Sequence, residues 1–253
     1  MPHPIIAQLP RVIGHRGAMG SAPENTLASL RRAAELGARW VEFDVAISAD
    51  EQLLLFHDDQ LARITGRAGR FADSPASLLV GLDAGAHFDA RFSGERIPGF
   101  AAAAALLGEL GLGANLEIKV PEARAEIAVA RLADELARHW PRGLPLLLSS
   151  FSEVALAAAA RRLPQLPRGL LLERLPADWR RRAEALDAVS LHLAEASIDA
   201  ALCAALRGAG YPLLAYTVNR RQRAAELFGW GVRAVFSDYP ERLLDLAADG
   251  VPR

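Results

Sequence analysis

Short apolar runs bounded by turn residues alternate with longer amphipathic segments along most of the chain. The runs predict strands at 11–14, 40–45, 53–56, 114–118, 145–149, 168–172, 187–191, 213–217 and 233–236. Between many of them Ala, Leu, Arg and Glu recur at helical spacing, as at 122–138, 152–162, 177–185, 197–208 and 220–228. This alternation predicts an α/β fold with a parallel sheet. Its repeat count favours a (β/α)8 TIM barrel over a doubly wound sheet.

Nine predicted strands are one more than an eight-stranded barrel holds. Only residues 48–52 separate the run 40–47 from the run 53–56, whereas a parallel crossover needs about a dozen residues. We therefore expect these two runs to form an antiparallel hairpin outside the set of eight barrel strands. The stretch 58–100 follows, with six glycines and no clear periodicity, and its length predicts a lid or a small inserted subdomain.

Composition limits the classes of function. The chain has 253 residues, 51% of them hydrophobic, and no linker divides it, which predicts a single domain over 1–253. A net charge of -1 gives no reason to expect a nucleic-acid partner. The first ten residues lack the apolar length of a signal peptide, and no run approaches the roughly 20 apolar residues of a membrane span. A single cysteine, Cys203, is typical of a reducing compartment, so we expect a cytoplasmic protein and leave its oligomeric state open.

The first predicted strand ends in a charged segment. Residues 12–17 read VIGHRG, so a β-branched pair leads directly to His15 and Arg16 between two glycines that allow close backbone approach. Residues 23–26 read PENT and begin a helix for which either Asn25 or Thr26 is a suitable N-cap, and Gly37 ends that helix. The chain therefore opens with a strand, a polar loop and a helix.

Two predicted strands carry charged side chains on one face. Alternation directs Glu42 and Asp44 into the barrel, and in the segment NLEIK it directs Glu117 and Lys119 inward as well. Three neighbouring carboxylates repel one another, and an all-oxygen set is typical of a hard divalent cation such as Mg²⁺, Ca²⁺ or Mn²⁺. The alternative is that each acid pairs with an arginine at the rim of the barrel.

Two histidines follow predicted strands near these acids. His15 ends the first strand, and His57 ends the return strand of the hairpin, which brings it near Asp44. Imidazoles exchange protons near neutral pH, so we interpret the pair as an acid and a base, and the guanidinium of Arg16 suits phosphate oxygens. His3, His139 and His192 receive no role.

The basic residues of this chain are almost all arginine, with one exception. Of 29 lysines and arginines, only residue 119 is lysine. The bias of this composition would favour arginine at that position too. The exception indicates that the compact ammonium group is retained for its chemistry, although one lysine in 29 also arises by chance.

The chain resembles the glycerophosphodiester phosphodiesterase family over nearly its whole length. The matching segments include GHRGAMGSAPENTLASL (14–30), VEFDVAISAD (41–50), LLLFHDDQLARITGRAGRF (53–71), LDAGAHFDARFSGERIP (82–98), NLEIK (115–119), YTVN (216–219) and SDYP (237–240). The resemblance implies a metal bound by Glu42, Asp44 and Glu117, acid/base histidines at His15 and His57, and phosphate contacts from Arg16 and Lys119. Tyr216 and His87 depart from residues usual in the family and are expected to border the pocket for the alcohol.

The resemblance also implies an activity. It predicts metal-dependent hydrolysis of a small-molecule glycerophosphodiester to sn-glycerol 3-phosphate and an alcohol, by acid/base catalysis with two histidines. Two alternatives remain: a phospholipase of the lysophospholipase D kind on the same barrel, and a catalytically silent binding barrel.

Overall fold

A computed structural model of the chain describes residues 3–246. Nine strands form one sheet: β1 (Val12–Gly14), β2 (Trp40–Ile47), β3 (Leu53–Leu55), β4 (Gly113–Ile118), β5 (Leu146–Ser150), β6 (Arg168–Leu172), β7 (Ala188–Ala194), β8 (Leu213–Tyr216) and β9 (Ala234–Ser237). Eight of them are parallel in the order β1-β9-β8-β7-β6-β5-β4-β2, and pairing of β1 with β2 closes the ring. The predicted (β/α)8 barrel is confirmed.

Strand β3 lies outside the ring, as the short connection requires. It pairs antiparallel with β2 in a register that places Val45 opposite Leu55 and Ile47 opposite Leu53. The predicted hairpin is therefore confirmed. It brings the residues that follow β3 back along β2 toward the carboxyl ends of the barrel strands.

Ten α-helices surround or cap the barrel in the described part of the chain. They are α1 (Pro4–Gln8), α2 (Leu27–Glu35), α3 (Ala62–Thr65), α4 (Ala76–Leu79), α5 (Phe100–Leu110), α6 (Ala125–His139), α7 (Glu153–Arg162), α8 (Trp179–Ala185), α9 (Ala200–Gly208) and α10 (Arg221–Gly229). The helix predicted over 122–138 begins as a 3-10 turn at Glu122–Arg124 and becomes α-helical at Ala125. Sequence patterns did not delimit α1, α3, α4 or α5. Within residues 3–246 no helix combines the length and the apolar character needed to cross a bilayer.

The amino-terminal helix closes the lower end of the barrel. Ile5, Ile6 and Leu9 are buried in one cluster with side chains from the barrel interior, among them Trp40 and Phe236. A Cβ atom on Gly113 would lie 2.3 Å from the Trp40 ring, so only glycine leaves room for this indole beside β4. The base of the barrel is therefore a packed apolar core, and polar chemistry is confined to the opposite end.

The segment 58–100 contains α3, α4 and two 3-10 turns, Phe71–Asp73 and Ala90–Phe92. It packs against the β2–β3 hairpin in one apolar cluster, in which Phe56, just after β3, and Phe71 stack with ring centroids 4.9 Å apart. Its side chains Phe71, Arg70 and Asp59 border a small cavity next to His57.

Candidate active site

The residues predicted for the site surround a central cavity of about 470 Å³ at the carboxyl ends of the strands. In (β/α)8 barrels catalytic groups gather at this end because the loops that follow the strands converge there. Seven of the eight predicted residues line the cavity: His15, Arg16, Glu42, His57, Glu117, Lys119 and Tyr216. The eighth, Asp44, is buried beside Glu42 and Glu117.

Glu42, Asp44 and Glu117 form a compact buried carboxylate cluster. One oxygen from each lies within 4.8 Å of the others. Burial and the neighbouring carboxylates raise the pKa of Glu42 well above its ordinary value, and burial together with Asp44 raises the pKa of Glu117 to about 7. Oε1 of Glu42 is buried without a hydrogen-bond partner in the described chain. The donor set, its mutual repulsion and this unpaired oxygen fit a divalent cation.

The alternative explanation of these carboxylates, in which each acid pairs with its own arginine, does not hold among the described residues. Arg16 places Nε 3.4 Å from Asp44 Oδ2, and Lys119 lies 3.5 Å from Glu117 Oε1. Glu42 instead accepts a hydrogen bond from the backbone N–H of Arg16 at 2.8 Å. Within residues 3–246 the positive charge around the cluster comes from two side chains facing three acids.

The PENT segment contributes three separate contacts. Thr26 is the N-cap of α2, since its hydroxyl accepts from the N–H of Ser29 at 3.2 Å. Asn25 instead holds Asp44: its amide donates to Oδ2 at 2.8 Å and its carbonyl accepts from the Asp44 N–H at 3.0 Å. Asn25 adopts the left-handed conformation at φ 55°, which asparagine tolerates better than most residues. Glu24 points to Arg16, with 2.7 Å between Oε1 and Nη1.

His15 is held by a carboxylate that directly follows the last barrel strand. Its Nδ1 lies 2.7 Å from Oδ1 of Asp238, and Asn219 donates to the other oxygen at 2.6 Å. Burial opposes ionisation of Asp238, yet these hydrogen bonds keep its pKa below the ordinary value. An ionised carboxylate only accepts, so Nδ1 of His15 carries the hydrogen and Nε2 faces the site, 3.9 Å from Glu42.

His57 has the same arrangement with a different partner. Its Nδ1 lies 2.7 Å from Oδ1 of the adjacent Asp58. The Lys119 ammonium donates to Nε2 at 2.8 Å. Burial lowers the pKa of His57, and the charges of Arg16 and Lys119 lower it further, against the opposing effects of Asp44 and Asp58. The ring is therefore neutral in this arrangement.

A second group of candidate ligands lies beside the first. Oxygens of Glu24 and Asp58 and a nitrogen of His57 also fall within 4.8 Å of one another. Arg63 of α3 donates to both carboxylates at 2.6–2.8 Å, and Arg16 donates to Glu24. A guanidinium already supplies the positive charge here, so this group does not fit a second cation.

The wall of the cavity away from the carboxylates is partly aromatic. The Tyr216 ring meets Phe151 edge-on, with 5.8 Å between centroids, and its hydroxyl donates to the carbonyl of Leu172 at 3.0 Å. These two rings and Glu173 also border an adjoining cavity of about 670 Å³. His87 is exposed and is not among the residues that line the central cavity.

Sequence reasoning missed several polar residues around the site. Asp58 and Asp238, which hold the two histidines, lie in segments that match the family, but the sequence assigned them no role. Asp58 directly follows His57, and this adjacency was the available signal; Asp238 is 223 residues from its partner, and no sequence pattern connects them. His192, which was given no role, lies fully buried in the cavity wall, where burial lowers its pKa to about 3.

The chain is similar to known phosphodiesterases in sequence and in structure. A glycerophosphodiester phosphodiesterase of Caldanaerobacter subterraneus subsp. tengcongensis is 32% identical over 240 residues, which cover 94% of this chain and 98% of that protein. Another, from Bacillus subtilis, is 29% identical over 246 residues, covering 90% and 83%. An Oleispira antarctica phosphodiesterase, solved in complex with the product sn-glycerol-3-phosphate, superposes with a TM-score of 0.94 at 40% identity, covering 97% of this chain and 99% of that one.

The family model described as the glycerophosphoryl diester phosphodiesterase family matches residues 15–242, which include all eight predicted site residues. This match and the relatives above cover most of the chain. The chain therefore belongs to the glycerophosphoryl diester phosphodiesterase family of enzymes.

Proposed function

We propose that the protein hydrolyses glycerophosphodiesters to sn-glycerol 3-phosphate and an alcohol at the mouth of the barrel. The observation that carries this proposal is the meeting of three buried carboxylates with two histidines, each oriented by its own aspartate. The product bound in the Oleispira antarctica enzyme supports the same substrate class.

Glu42, Asp44 and Glu117 would hold a divalent cation, Mg²⁺ or Ca²⁺, with Mn²⁺ also compatible with oxygen ligands. The unpaired Oε1 of Glu42 supports this assignment. When bound, the cation supplies Lewis-acid neutralisation of phosphoryl charge. Arg16 and Lys119 add positive charge on the same side of the cavity, so both are assigned to phosphoryl oxygens.

The two histidines receive different roles. Nε2 of His57 accepts a hydrogen bond from Lys119 and carries no proton, so His57 is assigned to take a proton from the attacking hydroxyl. Nε2 of His15 faces the cavity, and His15, as the imidazolium with a hydrogen on Nε2 as well as on Nδ1, is assigned to protonate the leaving alcohol. Asp58 and Asp238 fix each ring by accepting from Nδ1.

The alcohol is assigned to the aromatic wall. The Tyr216 hydroxyl is engaged by the Leu172 carbonyl, so Tyr216 offers substrate its ring, together with Phe151. The larger adjoining cavity beyond these rings gives the alcohol room to extend toward Glu173.

Two further assignments complete the proposal. The segment 58–100 is taken as a small inserted subdomain beside His57 within a single domain, in keeping with the apolar cluster through which it packs on the β2–β3 hairpin. The cytoplasm is the proposed compartment, in keeping with the single cysteine.

The test is turnover of a panel of glycerophosphodiesters with choline, ethanolamine and glycerol alcohols, with and without a chelator. We expect release of sn-glycerol 3-phosphate that stops on chelation and returns with Mg²⁺ or Ca²⁺. Cleavage of lysophospholipids in preference to the panel would favour the lysophospholipase D alternative. Absence of turnover on every substrate, with metal bound, would favour a silent binding barrel.

A further inference from the structure

Arg63 reaches from the inserted segment into the active-site network. It lies on α3, and about half of its side chain is exposed, with the guanidinium between Glu24 and Asp58. Nε and Nη2 donate to the two oxygens of Asp58 at 2.6 and 2.8 Å. Nη1 and Nη2 donate to the two oxygens of Glu24 at 2.7 and 2.8 Å. Arg63 therefore uses four of the five donors of a guanidinium on two carboxylates.

Each carboxylate is shared with a residue of the site. Oδ1 of Asp58 also lies 2.7 Å from Nδ1 of His57, and Oε1 of Glu24 also accepts from Nη1 of Arg16 at 2.7 Å. The continuous chain of hydrogen bonds is His57–Asp58–Arg63–Glu24–Arg16. It joins the proposed proton acceptor to the proposed phosphate ligand through a single exposed residue.

The charges and geometry of this hydrogen-bond network favour arginine over lysine at position 63. Glu24 is almost fully buried, and burial disfavours its charge, yet the hydrogen bonds from Arg63 and the charge of Arg16 lower its pKa to about 2. Arg63 likewise lowers the pKa of Asp58 to about 2. A planar guanidinium grips two carboxylates at once, each in a bidentate manner, whereas an ammonium is a point charge that cannot reproduce both grips.

We propose that Arg63 is a positioning residue that fixes His57 and Arg16 relative to each other through Asp58 and Glu24. This inference rests on the proposed function of the site. Arg63 contacts neither the cavity nor the carboxylate cluster, so its substitution acts on chemistry only through its two partners. We call the Arg63–Asp58 contact the Asp58 arm, which affects proton transfer through His57. The Arg63–Glu24 contact is the Glu24 arm, which affects binding of the phosphoryl group through Arg16.

The experiment compares Arg63→Gln and Arg63→Lys with Arg67→Gln, an exposed arginine four residues along the chain. We expect both Arg63 variants to lower kcat by about tenfold or more and to raise KM by about fivefold or more, with Arg67→Gln unchanged. Affinity for sn-glycerol 3-phosphate, measured by calorimetry, should weaken by about fivefold in Arg63→Gln, and this readout needs no turnover.

Double variants separate the two arms. In an Asp58→Asn background, Arg63→Gln should change kcat by less than about threefold while still raising KM, because coupled residues are not additive. In a Glu24→Gln background, Arg63→Gln should still lower kcat but should change KM only slightly. If Arg63 only anchors α3, its variants would lower the melting temperature but keep wild-type kcat, KM and product affinity, and this result overturns the inference. An inactive wild-type protein overturns the proposed function, and the calorimetric result then still decides the role of Arg63.

Discussion

The ammonium group of Lys119 lies 2.8 Å from Nε2 of His57. An ammonium group can only donate, so this contact exists only while the histidine is neutral. A phosphoryl oxygen that draws the ammonium away would expose the lone pair of His57 at the moment a proton must be taken. Under the proposed function, substrate binding and activation of the base would thereby be linked through one side chain.

Substitution of Lys119 tests this link. Arg keeps the charge but replaces a compact ammonium by a planar fork, which cannot occupy the space between His57 and Glu117 in the same way. We expect Lys119→Arg to lower kcat/KM by at least about tenfold, equal to ~1.4 kcal/mol, and Lys119→Met to lower it further. Steady-state kinetics on a glycerophosphodiester measures both. A wild-type rate in the arginine variant would leave Lys119 as a charge neutraliser only.

Removal of a metal ligand should affect stability in opposite ways with and without metal. In the metal-free protein, Glu42→Gln removes one of three repelling carboxylates, so its melting temperature should equal or exceed that of the wild type. With saturating Mg²⁺ or Ca²⁺ the melting temperature of the wild type should rise more than that of Glu42→Gln, because a ligand that binds only the folded state stabilises it. Thermal unfolding with chelator and with added metal gives the comparison. Equal metal-induced shifts in the two proteins would contradict the assigned ligand set.

The histidine–aspartate pairs predict graded losses of activity. His15→Ala and His57→Ala should each lower kcat by about 10²–10⁴-fold with the fold retained. Asp238→Asn and Asp58→Asn keep the shape of the partners but remove their charge, and we expect losses of at least about tenfold from each. Circular dichroism checks the fold and kinetics checks the rate. Near wild-type turnover in His57→Ala would make His57 a structural residue in the loop after β3.

Glu24 should stabilise the fold in a manner that depends on pH. Its folded-state pKa of about 2 is below the ordinary value, so its contribution is complete above the unfolded pKa and is lost as pH falls toward 2. Glu24→Gln should therefore lower the free energy of unfolding by about 3 kcal/mol at pH 7, because Arg16 and Arg63 each lose one of their two carboxylate partners, and by much less at pH 3. Urea unfolding at pH 7, 5 and 3 measures this, with the exposed Glu109→Gln as control. A difference that stays constant with pH would contradict the assignment.

The sequence was sufficient to predict those structural features that depend on a single short-range rule. Five residues between β2 and β3 are too few for a crossover, so the hairpin and the number of barrel strands followed. Alternation in β2 and β4 placed the three acids on one face, and the cluster within 4.8 Å agrees with it.

Contacts between distant segments could not be obtained in this way. From the sequence, Asn25 and Thr26 were equally suitable N-caps for α2. Asp44, 19 residues after Asn25, engages the Asn25 side chain, and Thr26 caps the helix. The grip of Arg63 on Glu24 spans 39 residues and depends on how the segment 58–100 folds back. In a chain with 28 arginines, no sequence pattern singles out this one.

The helix α1 at the base of the barrel affects how molecules pass through the enzyme. With Ile5, Ile6 and Leu9 packed beneath Phe236, the barrel is a blind well rather than a tunnel. Substrate, water and both products would then share the mouth, so the next substrate can enter only after the last product has left. A truncated chain that starts at residue 11 would lack α1 and would expose the apolar side chains at the base of the barrel to solvent.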